Sequence, residues 1–184
     1  MTNKEKLIAV FILLIAGASY RLLPHPSNFA PVAAISLFSG FYFRRYFIFI
    51  PIFIMLLSDI FIGFYDWKLM ASVYFSFVLV GLIGILMRKN KSVMMMIGCS
   101  LAGSVLFFIL TNFAVWAFSL WYPHNFQGLV ECYVMAIPFF KNTLLGDLFY
   151  ASVIFGCYEI LAQPKEKLSF LFSGSKNNLI QNNG

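Results

Sequence analysis

Two aspartates lie inside apolar runs of this chain, Asp59 within residues 48–64 and Asp147 within residues 144–162. A charged side chain at the centre of a membrane helix costs at least about 2.5–3.5 kcal/mol on insertion scales, so such groups face a partner or a water-filled cavity. Further polar residues gather near them: Thr111 and Asn112 in one apolar run, Asn142 and Thr143 just before another. The segment Arg21 to Asn28 adds a cation and an imidazole, and Pro24 and Pro26 flank His25 and stiffen the backbone there. These groups can receive a small solute. Two carboxylates suit a cation, an amine or a metal ion; Arg21 and Lys141 can instead neutralise them and leave a site for a neutral solute. The candidate solute-binding set is Arg21, His25, Asn28, Asp59, Asn112, Asn142 and Asp147.

Each of these residues also has a plainer role. Asp59 can pair with Arg21 or Lys141 and tie helices together. Thr111 and Asn112 can hydrogen-bond between helices, and Asn142 and Thr143 can cap the helix that follows them. His25 can be a surface histidine. Trp67, Trp116, Trp121, Tyr65 and Tyr122 read as an aromatic belt at a membrane boundary. The plainer roles leave open why, with the N-terminus in the cytoplasm and about 1.5 Å of rise per residue, Asp59, Thr111, Asn112 and Asp147 would all fall in the outer half of the membrane.

The elements that must hold these groups follow from hydropathy. Of 184 residues 61% are hydrophobic and only 11% charged, with a mean hydropathy of +0.84. Soluble domains carry roughly 25% charged residues, so this chain has too little polar surface to cover a water-soluble globule. A spanning helix needs about 20 apolar residues, with a range of roughly 17–25. Six runs meet or approach that: residues 7–23, 29–43, 46–64, 69–87, 93–120 and 144–162. Residues 126–140 contain Glu131 and Pro138 and read as a short interfacial or re-entrant segment before helix six. The expected fold is all-α: a polytopic bundle of six transmembrane helices over residues 1–162, followed by a polar cytoplasmic tail at 163–184.

The net charge of +6 would favour nucleic acid in a soluble protein. Here the basic residues fall between apolar runs and report topology instead, so no nucleic-acid partner is expected. With the N-terminus in the cytoplasm, ten basic residues lie inside (Lys4, Lys6, Arg44, Arg45, Arg88, Lys89, Lys91, Lys165, Lys167 and Lys176) and three outside (Arg21, Lys68 and Lys141). That bias places both termini in the cytoplasm of a bacterial inner membrane. The chain start, with Lys4, Lys6 and Ala16-Gly17-Ala18, also fits a signal peptide, but the apolar run continues past it and favours a retained first helix. Cys99, Cys132 and Cys157 form no metal or disulfide spacing.

The run Arg21-Leu22-Leu23-Pro24-His25-Pro26-Ser27-Asn28-Phe29-Ala30-Pro31-Val32-Ala33-Ala34 resembles the signature of an uncharacterised family of bacterial candidate transport proteins. Leu57-Ser58-Asp59, Thr111-Asn112-Phe113-Ala114-Val115-Trp116, Cys132-Tyr133 and Ala136-Ile137-Pro138-Phe139-Phe140-Lys141-Asn142-Thr143-Leu144-Leu145-Gly146-Asp147 extend the likeness over about residues 20–160. More distantly, the six-helix plan is similar to the substrate-capture components of energy-coupling-factor transporters. That resemblance implies capture of a vitamin or metal ion from outside and docking, through small residues, onto a separate membrane subunit driven by ATPases. Ala9, Ala16 and Ala18 form only part of the alanine face it implies on helix one. Small residues on helices two, four and five can serve such docking or internal packing. The chain has no GxxxxGK[ST] loop, so any use of ATP would come from that partner.

Two other functions compete with capture of a small polar solute or cation. One is a structural or assembly membrane protein without a ligand. The other is an intramembrane aspartyl enzyme, in which paired carboxylates activate water. Gly146-Asp147 supplies half of the GxGD motif of such enzymes, but Leu144 stands where the first glycine belongs and Ser58, not tyrosine, precedes Asp59. The expectation is no enzyme activity, no catalytic or metal residues and no cofactor.

Overall fold

Helix α2 (Val32–Phe43) is only 12 residues long, and all but one of them are buried. A helix apolar on every side belongs inside a bundle. In the computed structural model, which describes residues 3–43, 48–88 and 92–162, five longer helices enclose it. They are α1 (Asn3–Leu22), α3 (Phe49–Ile62), α4 (Trp67–Met87), α5 (Val93–Phe118) and α6 (Phe126–Ala162). The basic loop residues Arg44, Arg45, Lys89 and Lys91 and the tail at 163–184 lie outside the described residues.

The helices alternate in direction. One end of the bundle carries the connections 23–31, 63–66 and 119–125, with Lys68 lying 5.4 Å from the Phe118 ring centroid across two of them. The other end holds Tyr42, Met87, Ser92 and Glu159 around one hollow. Asp66 caps α4 by accepting from the backbone N–H of Lys68 and Leu69, and Ser92 caps α5 through Met95. Gly63, at φ 106°, ends α3 in a conformation that only glycine adopts without strain.

The central contact joins α2 to α4 backbone to backbone. A Cβ on Gly40 would fall inside the Gly81 carbonyl, and one on Gly84 inside the Leu37 carbonyl. Small residues on these helices therefore serve internal packing. The Ala16-Gly17-Ala18 run has a similar use, since a Cβ on Gly17 would stand 2.8 Å from Ile54 Cδ1. Below this contact Phe38, Phe41, Tyr42, Phe155 and Tyr158 form an aromatic cluster, with Phe38 and Phe155 edge to face at 5.2 Å.

Three helices, α4, α5 and α6, are long and apolar enough to cross a membrane. Large apolar side chains point outward along them, among them Leu82, Ile109, Phe113, Val134 and Phe149. This is the surface of a membrane protein.

One expectation needs correction. Residues 126–140 are no separate interfacial or re-entrant piece. They form the first part of α6, one continuous helix of 37 residues that runs through Pro138. At about 1.5 Å per residue it is some 56 Å long. Helix α5 splints it: the Tyr133 hydroxyl donates to the Ile109 carbonyl at 2.7 Å, and the Phe108 ring packs on Tyr133 before the proline and Phe140 after it. Glu131 and Lys141 consequently lie on the exposed face of α6, not in a loop.

The glycine contact has a measurable consequence. Gly40→Ala and Gly84→Ala should each lower stability by about 1–3 kcal/mol through overpacking. Gly98→Ala, where an added Cβ meets open space, should cost nothing. Thermal unfolding of the purified variants in detergent reads the difference, and equal melting temperatures for all three would refute the packing account.

Candidate functional site

Helix α1 brings Arg21 against α3 one turn before the end of that helix. Nη1 of Arg21 stands 2.9 Å from Asp59 Oδ1, in an ion-pair contact outside hydrogen-bond angles. The same nitrogen donates to the Ser58 hydroxyl and, at 3.4 Å, to the Met55 carbonyl. From α4 the Tyr74 hydroxyl donates to Asp59 Oδ2 at 2.7 Å. Asp59 is 1% exposed, so three helices converge on one buried carboxylate. This is the only ion pair among the described residues. Of the two cations that could have neutralised Asp59, the structure uses Arg21.

The second carboxylate is held differently. Asp147 sits 21 residues inside α6, opposite Ser104 near the midpoint of α5, and not at the outer start of a helix as the sequence suggested. It is 3% exposed and accepts a 2.6 Å hydrogen bond from the Ser104 hydroxyl. It has no cationic partner among the described residues. The two carboxylates are thus engaged by different groups and not by each other.

A cavity of about 250 Å³ joins Arg21, His25, Asn28, Thr143 and Asp147. Met55, Tyr65, Val73, Phe77 and Phe107 supply its apolar walls, and Ala30, Val32 and Ala33 bring the start of α2 into it. Its mouth lies at the loop end, where His25, Asn28 and Tyr65 sit outside the helices. Burial raises the pKa of the Tyr65 phenol, the Asp59 carboxylate adds to the rise, and Arg21 opposes it.

The loop over the mouth is built for its shape. Phe29 N–H donates to the Pro26 carbonyl at 3.0 Å, closing a turn whose third residue, Asn28, has φ 62°. Asparagine tolerates that left-handed conformation better than most residues. His25 Nδ1 donates to the Leu23 carbonyl at 2.7 Å, which leaves Nε2 as an acceptor when the ring is neutral. Asn142 Nδ2 donates to the Ser27 carbonyl at 3.1 Å and ties the loop to α6.

Of the seven residues expected at the site, Arg21, His25, Asn28 and Asp147 line the cavity. Asp59 stands behind Arg21 and fixes it. Asn142 is a loop anchor, and because α6 runs unbroken past it, neither it nor Thr143 caps a helix. Asn112 turns away: its side chain donates to the Phe108 carbonyl at 2.8 Å within α5, and its own carbonyl accepts from the Cys132 thiol. Tyr74 and Ser104 were missed. Both lie in apolar runs where a lone hydroxyl gives no signal, and only the pairing of helices reveals them. All three cysteines are free.

The pair predicts coupled energetics. Arg21→Met and Asp59→Leu should each destabilise the protein by about 3 kcal/mol, because each strands a buried charge or its partners. Arg21→Met combined with Asp59→Leu should recover most of that loss. A double-mutant cycle from unfolding titrations in mixed micelles decides it, and simple additivity would show that the pair carries no coupling.

Residues 1–170 match the model of a family described as a family of unknown function (DUF6580), and the chain belongs to that family. No curated protein and no solved structure matches it.

Proposed function

We propose that this member of the DUF6580 family is a multi-pass protein of a bacterial inner membrane that captures a small polar solute or cation. It would do so in the cavity beneath the 23–31 loop, acting as a transport protein of the substrate-capture kind. The observation that carries the reading is Asp147: a carboxylate 3% exposed, on the wall of a cavity, with no cation paired to it among the described residues. An ionisable group left in this state within a membrane bundle is a functional site by default. The other polar groups support it. Asp59 is already neutralised by Arg21, so its charge is spent on holding the wall in place.

All six segments would cross the membrane, α2 together with the irregular 23–31 backbone that leads down to it, with both termini in the cytoplasm and the cavity mouth outside, since ten of the thirteen basic residues fall in the segments that this orientation puts in the cytoplasm. Release to the other side would need energy from elsewhere, and a separate membrane subunit with ATPases would provide it.

Two measurements test this. Protein purified from bacterial membranes should carry a small solute, detectable by mass spectrometry of the extract, that is depleted about tenfold or more in Asp147→Asn. Identical extracts from both would remove the capture reading. In intact cells stripped of their outer membrane, Lys68→Cys should react with an impermeant thiol reagent and Arg88→Cys should not; the reverse pattern would turn the cavity toward the cytoplasm and end the proposal.

A further inference from the structure

We infer that the cavity takes an organic cation, a small molecule bearing its positive charge on nitrogen, in preference to a metal ion or an anion. The inference rests on the capture reading above and names its ligand class.

Charge is the first argument. Arg21 is balanced by Asp59 at 2.9 Å, whereas Asp147 has no cationic neighbour among the described residues. The start of α2 opens on the same cavity through Ala30, Val32 and Ala33. Its dipole brings roughly half a positive charge, which offsets the carboxylate only in part. With Asp147 ionised the cavity as a whole is negative, and a singly charged cation both completes it and holds the carboxylate in that state.

The walls are the second argument. Phe77 and Phe107 both line the cavity, with ring centroids 4.9 Å apart and planes inclined by 31°. Tyr65 stands nearer the mouth. Ring faces attract an organic cation, and more strongly where water is excluded. Met55, Val73 and Val32 offer a surface for the apolar body that such a cation carries. A divalent metal ion is served poorly here. Magnesium and calcium take about six or more oxygen ligands; beside one carboxylate the lining offers only the neutral donors of His25, Asn28, Tyr65 and Thr143, and among the described residues no three His, Cys, Asp or Glu side chains gather to hold a metal ion.

Hydrogen bonding and size complete the case. Ser104 occupies Oδ2 of Asp147 and leaves the carboxylate capacity to accept from an ammonium N–H. At the other wall Arg21 makes its contacts through Nη1 alone among the described residues, so its remaining N–H groups can meet an acceptor on the ligand. A cavity of about 250 Å³ holds roughly eight water-sized groups at about 30 Å³ each, enough for a small amine with one ring or a short chain.

The test uses the purified full chain in lipid nanodiscs, titrated calorimetrically at neutral pH. The probes are benzylamine, its neutral and anionic counterparts benzyl alcohol and benzoate, and magnesium and zinc chlorides. Benzylamine should bind and the other four should not. Asp147→Asn should weaken benzylamine by about thirtyfold or more, and Phe107→Leu, which keeps an apolar wall but removes the ring, by about fivefold. The second variant serves if the first does not fold. Binding of benzyl alcohol or benzoate as tight as that of benzylamine, metal binding lost in Asp147→Asn, or no benzylamine binding at all would each overturn the inference. A neutral or anionic solute that co-purifies with the wild type and is lost from Asp147→Asn would overturn it too, yet leave capture standing. Benzylamine binding unchanged in both variants would place the ligand elsewhere and sink the ligand class and the capture site together.

Discussion

The shortness of α2 governs the rest of the structure. Twelve residues of helix reach about 18 Å, well short of the roughly 30 Å of hydrocarbon in a bilayer. At one end α2 keeps level with its neighbours, because Tyr42 and Glu159 are hydrogen-bonded there. The deficit therefore falls at the other end. Gly40, eight residues inside α2, meets Gly81, fourteen residues inside the parallel α4, so α2 begins about 9 Å below the start of α4. The chain arriving from α1 must descend to that depth as irregular backbone, and such backbone is tolerated within a membrane only where protein buries it or water reaches it. The 23–31 loop meets this condition by hydrogen-bonding itself through Pro26 and Phe29, leaning on Asn142 and enclosing the cavity. The hollow is thus a geometric result of one short helix among long ones.

Within that geometry the two costly carboxylates have separate duties. The Asp59 carboxylate collects Arg21 from α1 and Tyr74 from α4, and so it pins both helices to α3 at the rim. Breaking such a pair costs more than never having built it, because the survivor is left charged and dry. Among the described residues the Asp147 carboxylate is bonded only by a serine hydroxyl. It has no cation beside it there, as Asp59 has, yet it lies on the wall of the hollow that His25, Asn28 and Tyr65 also line. On the proposed reading stabilisation and recognition would therefore be carried by different residues, the rim pair staying rigid while the Asp147 wall stays open to a ligand.

The sequence revealed the helices better than their joints. Five of the six apolar runs are helices within a few residues of their expected bounds, and the sixth ends where expected but starts far earlier, at Phe126; hydropathy reports burial in lipid or protein directly. Glu131 and Pro138 misled at the start of α6. Both side chains are exposed, so neither disturbs the face that meets α5, and a proline costs less where a neighbouring helix splints the turn. Four site residues were legible because charge and turn chemistry stand out against hydrocarbon. Asn112 stood out as much but folds back on its own helix, and Ser104 and Tyr74 did not stand out at all. Polar type marks the cost of a residue in a membrane; only the crossing of helices decides what that cost is spent on.

The floor of the cavity constrains any transport on the proposed reading. Below Phe77 and Asp147 the path meets the backbone contact of Gly40 with Gly81 and of Gly84 with Leu37, which leaves no room for a methyl group, let alone a solute. Beneath that lies the aromatic cluster around Phe38 and Tyr42, fastened to α6 through Glu159. Side-chain rotation can open a path lined by long flexible residues, but it cannot open one closed by main chain. A solute received at Asp147 can continue downward only if α2 shifts as a body against α4, losing the close approach that the three glycines permit. Such a shift gives up dispersion along the face that α2 shares with α4. On the proposed reading the chain by itself would therefore hold a solute at one face, and release at the other would need a force applied from outside the bundle.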